Sequence, residues 1–557
     1  MKRCPACRRD YYDDTLVYCL DDGSLLLAGP STASERPTAI LSGEKASGST
    51  DILPGPLNAT DRRRHSKLSS KKYFIVIPFG VFLAALLAVV GYYFTGVRAT
   101  RIASIAVLPF ANQNSDPNTD YLADGIPDSI SNALSQLSDL KVMSRNSVSH
   151  YKGMEVDSQA VAKDLNVQAV LFGRVMQRGS DLSISVELIN AQDNSKIWGQ
   201  QYNRKLTDVF TMQDEIAKQI SEKLQVKIYG ERKFARRPTE SVTAFQYYSQ
   251  GREYYARRTH EDLLTTVNYY QRAIAEDNKY ALAYAGLADA YGALGVRSYI
   301  PPIEARRLEE DNARKAIELD ENLAEAHAAM ALPKIVFAPF DFAAGDSELR
   351  RAIELSPSLA VAHQYLGHSL AAQGRFDEAL AEYETARQLD PLSSIIARNV
   401  ATAYYAKGDY TKALDLLRQA DELGPPFTNP IEIYVYVRNG RLDETLGELK
   451  DAQQSRPDDP LLIFDLGVIY AAQGKKTDAL QMIEQLEKMS GDSFSQAQFI
   501  ARIYVALNDK EKTFQWLERG LATGAIGPID TRDEEWDFIK SDPRFDDLLH
   551  RMGLPPA

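Results

Sequence analysis

Cysteine is almost missing from this chain. Its 557 residues include three, Cys4, Cys7 and Cys19, all within the first twenty positions. No disulfide framework can therefore hold the large domains together, and the cysteines form a local cluster. An excess of positive charge is missing too. Sixty-four Lys and Arg face 76 Asp and Glu, giving a net charge of −12. That balance disfavours nucleic acid as the main partner, because phosphate binding needs a basic surface. The signatures of several large enzyme classes are absent. There is no Gly-x-Gly-x-x-Gly, no P-loop, no His-Arg-Asp or Asp-Phe-Gly pair and no His-Glu-x-x-His. The seven histidines are scattered. His363 and His368 are neighbours, but the sequence places no matching Cys or Asp beside them. The expectation is a binding protein and not an enzyme.

Long apolar runs are absent with one exception. Tyr73 to Phe94 reads YFIVIPFGVFLAALLAVVGYYF, 22 residues without a charge. A helix of that length spans about 33 Å at 1.5 Å per residue, enough for a hydrocarbon core of roughly 30 Å. Tyr73, Tyr92 and Tyr93 sit at its ends, where aromatic belts form. A cleaved signal peptide does not fit, because the apolar run is too long and starts too late. Arg62, Arg63, Arg64, Lys67, Lys71 and Lys72 precede the segment closely, and only Arg98 and Arg101 follow. The positive-inside rule then puts the N-terminus in the cytoplasm. The C-terminal domains would be periplasmic or extracytoplasmic, on a single-pass protein of the inner (plasma) membrane. Residues 29–72, rich in Ser, Thr, Pro, Gly and charge, read as a disordered linker with a basic end.

The cysteines are spaced Cys4-x2-Cys7-x11-Cys19-x2-Asp22 in residues 1–28. Two close ligand pairs on opposing turns are how a small zinc ribbon builds a tetrahedral site. A segment this short cannot bury a core, so metal would have to fold it. The candidate zinc ligands are Cys4, Cys7, Cys19 and Asp22, with Asp22 standing where a fourth cysteine is expected. The segment resembles zinc-ribbon heads of the form Cys-Pro-x-Cys…Cys-x-x-Asp-Gly. A metal-free relic and a redox Cys-x-x-Cys are the alternatives; no thioredoxin-like pattern surrounds the pair.

Residues 101–228 alternate strand and helix patterns, which predicts an α/β sandwich. Ser104 to Phe110 is an apolar run of strand length. Asp124-Gly125-Ile126-Pro127 opens a helix with Ile126, Ile130, Leu134 and Leu137 on one face. Lys141 to Ser144 is a short strand, and Asp157 caps a helix through Leu165. Gln168 to Met176, Leu182 to Asn190 and Lys196 to Tyr202 read as strands, and Thr207 to about Lys227 as an amphipathic helix. Several segments in order, SIAVLPF, Tyr121 to Gly125, Tyr151-Lys152-Gly153, Ala169 to Gly173 and Ile197-Trp198, resemble the TolB amino-terminal-like domain. That resemblance implies a non-catalytic interaction domain of the bacterial envelope. Asp116, Asp120, Asp124 and Asp128 invite a catalytic reading, but a turn former before proline and a helix N-terminus explain two of them better.

From about Thr243 the sequence repeats itself. Pro357, Pro391 and Pro425 are 34 apart, and so are Ala352, Ala386 and Ala420. Gly374 and Gly408, Gly440 and Gly474, and Ala379 and Ala413 follow the same period. That period resembles the tetratricopeptide (TPR) repeat, a helical hairpin stacked into an α-solenoid. The array is assigned to 243–535, with 536–557 as a C-terminal cap. Ala360 to Phe427 is its most regular part. Ala244 to Lys279 carries a short insertion near Thr259, and Pro333 and Pro339 should interrupt the helices of Ala324 to Leu359. By position, Gln364, His368, Arg398, Thr402 and Tyr405 face the concave groove and are candidate peptide contacts.

Together these features predict a membrane-anchored scaffold. Its repeats and α/β domain would bind protein or peptide partners in the cell envelope, with structural zinc as the only cofactor. No nucleic acid or small-molecule substrate is expected. The alternative is a transmembrane signalling or regulatory protein whose zinc-ribbon head relays to a cytosolic partner.

Overall fold

The structure is a computed structural model that describes residues 102–114, 119–155, 157–224, 238–424, 426, 430–491, 495–529 and 534–556. Three two-residue strands near the start are described as well. The chain divides into two compact units, Met1–Tyr92 and Tyr93–Ala557.

In the first unit β1 (Lys2–Arg3) pairs antiparallel with both β2 (Asp10–Tyr11) and β3 (Leu27–Ala28). Cys4, Cys7, Cys19 and Asp22, the linker 29–72 and the apolar segment 73–94 lie outside the described residues. Among the described residues, no helix is long and apolar enough to cross a membrane. Nor does any group of three or more His, Cys, Asp or Glu there come together as a metal site.

The second unit begins with a mixed sheet. Its strands are β4 (Ser104–Val107), β5 (Ala111–Asn112), β6 (Lys141–Val142), β7 (Ala169–Arg178), β8 (Asp181–Asn190) and β9 (Lys196–Lys205). The order is β6-β4-β7-β8-β9, with β5 also on β7. β4 runs parallel to β6 and β7, while β7, β8 and β9 form an antiparallel meander. The two-residue period of a strand sends Ile105 and Val107 to one face and Ala106 and Leu108 to the other. The first face packs on helices Asp120–Ser135 and Val209–Lys223 through Ile126, Ile130, Met212 and Ile216. The second packs on helices Arg145–Ser149 and Ser158–Leu165 through Val148, Val161 and Leu165. Gly173 is required on β7 because a Cβ there would lie 2.3 Å from the Phe110 ring.

Local details differ from the sequence reading in two places. The helix expected to open at Asp124 starts at Asp120, and Pro127 sits within it. Its missing N–H leaves the Ala123 carbonyl without a helical donor, and the Phe110 amide of the neighbouring strand end donates to it instead at 2.8 Å. Residues past Val142 turn into the short helix Arg145–Ser149 instead of extending the strand.

Helical hairpins follow from Val242 onward. They are Val242–Arg257 with His260–Glu276, Ala281–Val296 with Pro302–Leu319, Ala324–Val336 with Phe342–Leu355, and Ala360–Ala372 with Phe376–Leu389. Next come Ser394–Ala406 with Tyr410–Asp421, Glu432–Arg438 with Leu442–Ser455, Pro460–Ala472 with Lys476–Ser490, and Ala497–Ala506 with Lys510–Thr523. Small residues set the close approach within a pair: a Cβ on Gly367 would lie 2.5 Å from the Tyr383 ring. Alanines 352, 386 and 420 are fully buried between hairpins. Pro333 does not interrupt its helix, which runs on to Val336. Three residues from the helix end, it removes the hydrogen bond its N–H would have made to the Ala329 carbonyl. Pro339 falls in the turn before Phe342.

The last helix, Pro543–Met552, buries Phe545, Leu548, Leu549 and Met552. It also returns to the middle of the array. The Phe340 amide donates to the Met552 carbonyl at 2.8 Å. Near the other end of the turn, Gln496 Nε2 donates to the Ser298 carbonyl at 3.1 Å. The solenoid therefore closes on itself across some two hundred residues.

Candidate functional site

The first helix of each hairpin faces inward, and the α/β domain sits against that inner side. The seam is polar. Asp390, 2% exposed, accepts from Ser147 Oγ at 2.5 Å and from Asn146 Nδ2 at 3.1 Å. The Ser144 amide donates to the Leu389 carbonyl at 2.9 Å. The Val142 amide donates to Ser358 Oγ at 3.1 Å, and Ser356 Oγ meets Ser135 Oγ at 3.0 Å. An apolar contact anchors the other side: Phe245 stands edge-on to Phe210, with ring centroids 5.5 Å apart. Gly125 makes this approach possible, since a Cβ there would lie 2.6 Å from Phe245 Cζ.

Between the two domains is a chamber of about 820 Å³. Its walls come from the inner helices, from residues 128–150 of the α/β domain, and from the turn Gly524–Pro528. Gln364, His368, Arg398 and Thr402 all line it. They differ in what they can offer. Burial pushes the His368 imidazole down to about 4, so it is neutral at physiological pH. Thr402 Oγ1 is turned back on the Asn399 carbonyl at 3.0 Å. Arg398 is 1% exposed. Its Nη1 donates to Glu432 Oε2 at 2.8 Å, and its Nη2 to Asp421 Oδ1 at 2.6 Å and the Gly424 carbonyl at 3.1 Å. Its guanidinium is thus engaged inside the array. Tyr405 is buried, with its ring 5.4 Å from Tyr410.

Residues that sequence reasoning passed over supply most of the remaining charge. Arg252 donates to Tyr248 Oη at 3.3 Å, and Arg258 lies 3.9 Å over the Tyr255 ring. Arg297 and Asp289 share the wall. Burial pushes the Asp289 carboxyl up to about 7. A signal for Arg258 was present in the repeat phase. It lies fourteen positions after Ala244, as Gly374 lies fourteen after Ala360.

Two of the candidate aspartates of the α/β domain are held in ion pairs, and Asp116 lies outside the described residues. Asp124 is 9% exposed and accepts from Lys152 Nζ at 2.6 Å. Burial raises its carboxyl, and the lysine opposes that rise. It sits inside the helix, not at the N-terminus where the sequence placed it. Asp128 pairs with Arg145. His363, which had no partner in the sequence, has one here: Nδ1 meets Glu382 Oε2 at 2.7 Å. His327 meets Glu348 in the same way at 2.6 Å.

Comparison with known proteins gives two family matches. Residues 366–426 and 432–493 match the tetratricopeptide repeat model. The match thus reaches beyond the two most regular units. Residues 100–221 match the model described as "HilA/YgeH-like transcriptional regulator, second domain". This is the stretch that resembled a TolB amino-terminal-like domain, and the matching family is a different one. A curated relative is 40% identical over 125 residues: "Putative adenylate cyclase 3" of Rhizobium meliloti (strain 1021). The match covers 22% of this chain and 21% of that protein, about a fifth of its length. Similar solved structures include MamA (23% identity, 30% of this chain and 91% of that one, TM-score 0.22). Another is YrrB, titled "a TPR protein with an unusual peptide-binding site" (20% identity, 34% and 90%, TM-score 0.23). Human IFIT1 with PPP-AAAA is a third (12% identity, 75% and 98%, TM-score 0.38). The hairpin geometry and the family match agree that this chain carries tetratricopeptide repeats.

Proposed function

We propose that this protein is a membrane-anchored scaffold that binds a protein partner through its repeats. The observation that carries the reading is the array itself, whose inner helices present Gln364, His368 and Thr402 to an open chamber and not to packed core. A closed concave surface on a repeat array is a binding surface by construction. The α/β domain borders the same space, so a partner engaging the chamber touches both domains. The apolar run 73–94 supports a single-pass anchor in the inner membrane, and the flanking lysines and arginines support a cytoplasmic N-terminus. The partner would then belong to the cell envelope. The spacing of Cys4, Cys7, Cys19 and Asp22 supports a zinc-bound head.

Site-specific photocrosslinking in cells tests the partner reading. A crosslinker at Gln364 or Thr402 of the full chain should capture one protein reproducibly, and a crosslinker on the outward Glu384 should not. Equal capture from both positions, or none from either, would sink the groove as the docking surface. A periplasm-active reporter fused at Ala557 should be active, and metal analysis should find about one zinc per chain.

A second reading rests on the match of residues 100–221 to a domain of transcriptional regulators. Under it, the α/β domain senses and the cytoplasmic head relays. A partner recovered only with residues 1–28 would favour that reading over the scaffold.

A further inference from the structure

Six arginines line the chamber. Three are neutralised at contact distance: Arg145 by Asp128, Arg398 by Glu432 and Asp421, and Arg502 by Glu535 at 3.5 Å. The other three, Arg252, Arg258 and Arg297, have no carboxylate within ion-pair distance among the described residues. Their neighbours are tyrosines: Tyr248 for Arg252, Tyr255 for Arg258 and Tyr299 for Arg297. Arg258 lies near enough to Arg297 to disfavour its charge. The acids on the same wall do not cancel them. Asp128 is taken by Arg145, Asp390 by the interdomain seam, and Asp459, which also acts on Arg297, by Arg456 at 3.2 Å and the Leu461 amide at 3.0 Å, while burial drives Asp289 and Glu325 toward the neutral form.

Arg258 also occupies a left-handed turn. Four later hairpins hold the turn after their first helix with a positive-φ glycine, Gly374 (79°), Gly408 (82°), Gly440 (68°) and Gly474 (74°), and two hold it with Ser298 (57°) and Asn508 (56°). The first repeat holds the same turn at φ 60° with an arginine. A non-glycine residue in that region is strained by roughly 1 kcal/mol or more, and such strain concentrates at functional sites. Glycine fits this turn without strain, so Arg258 can be exchanged for glycine without disturbing it.

We propose that the chamber is a binding site for a small molecule bearing a phosphate or diphosphate group, held by Arg252, Arg258 and Arg297. Guanidinium forks match phosphate oxygens in bidentate fashion. A dianionic group balances two adjacent uncompensated arginines, which a single carboxylate does not. The volume of about 820 Å³ falls in the small-ligand range of roughly 300–1,000 Å³. The α/β domain and the Gly524–Pro528 turn both line the chamber beside the inner helices. This site requires no protein partner, so it stands or falls separately from the scaffold reading.

The test is titration calorimetry on the full chain in detergent, in buffer free of phosphate and sulfate. The probes are inorganic pyrophosphate, AMP and a hexaglutamate peptide. Pyrophosphate or AMP should bind saturably at one site per chain. Arg258→Gly should weaken that binding roughly ten- to hundred-fold, the loss of one charge-assisted contact, while melting no earlier than the parent because glycine suits the turn. Arg297→Gln should weaken it similarly. Absence of saturable binding by both phosphate probes overturns the proposal. So does unchanged affinity in both variants, or tighter binding of hexaglutamate than of pyrophosphate.

Discussion

Removing Arg398 is the sharpest perturbation the structure offers. Its guanidinium and the Glu432 carboxylate are 1% and 0% exposed and 2.8 Å apart. Asp421 takes a second bond at 2.6 Å. In Arg398→Met the stem keeps its volume, but Glu432 is left as a buried charge without its partner. Removing one member of a buried pair costs about 3–5 kcal/mol. In a repeat array that cost falls on the hairpins that share the contact, because each repeat touches only its neighbours. The expected result is faster hydrogen exchange in Ser394–Ala406, Tyr410–Asp421 and Glu432–Arg438. At about 1.4 kcal/mol per decade, exchange through local opening should rise roughly a hundred- to several-thousand-fold. Arg398→Met with Glu432→Leu should recover most of the loss, since replacing both members with apolar groups is near neutral. Two results would refute the reasoning: a loss below about 1 kcal/mol in the single variant, or a double variant no better than the single. If Arg398 were instead a solvated peptide contact, the single variant would lose partner binding and keep its stability.

Three further outcomes are expected. The Asp289 carboxyl is raised by burial to about 7 from an ordinary 3.8. Its contribution is therefore complete below pH 4 and lost as pH rises through 7, so Asp289→Asn should stabilise the protein at pH 8 and do little at pH 4 in denaturant melts. Gly125→Val would drive a side chain into Phe245 and Ser249 and should cost about 1–3 kcal/mol by overpacking, with exchange rising in Val242–Arg257. Asp390→Ala strips two side-chain acceptor contacts from the seam and should weaken docking by about 1–3 kcal/mol, seen as faster exchange at Arg145–Ser149 while the outer hairpins keep their protection.

The repeats were legible because their signal is steric. Ala352, Ala386 and Ala420 recur at the period that stacking demands, and each is fully buried. Strands β7 to β9 were legible from alternation and turn chemistry. Pro333 misled, because the one bond it removes is offset by the burial of Leu332, Pro333 and Ile335 in the same turn. Arg398 misled for a different reason. Helix phase placed it correctly on the inner side, but phase does not say whether that side meets solvent or a neighbour. A clue was available: Arg398 and Glu432 are 34 residues apart, the same position in successive repeats. An acid and a base in that relation stack on each other. Gln364 holds the same phase one repeat earlier. The chamber was not legible at all, since it exists only where the α/β domain meets the array.

That meeting follows the repeat period as well. The two loops that receive the α/β domain, Ser356 to Ser358 and Asp390 to Leu392, are equivalent turns of consecutive repeats. The domain therefore reads the spacing between repeats, and not a single loop. A solenoid that flexes changes that spacing. Here the flexing is limited at two places: the seam just described, and the return of Met552 and Gly553 to Phe340. An array tied at its middle and its end resists flexing that would change its inner volume. Constant volume is what a site for a defined small ligand needs, and it is a poor match for a groove that must open along its length to admit chains of different sequence. Gln364 and Thr402 line the same chamber, so a compact anion and a protein partner would compete for it, and crosslinking from these two positions with and without pyrophosphate separates the two occupants.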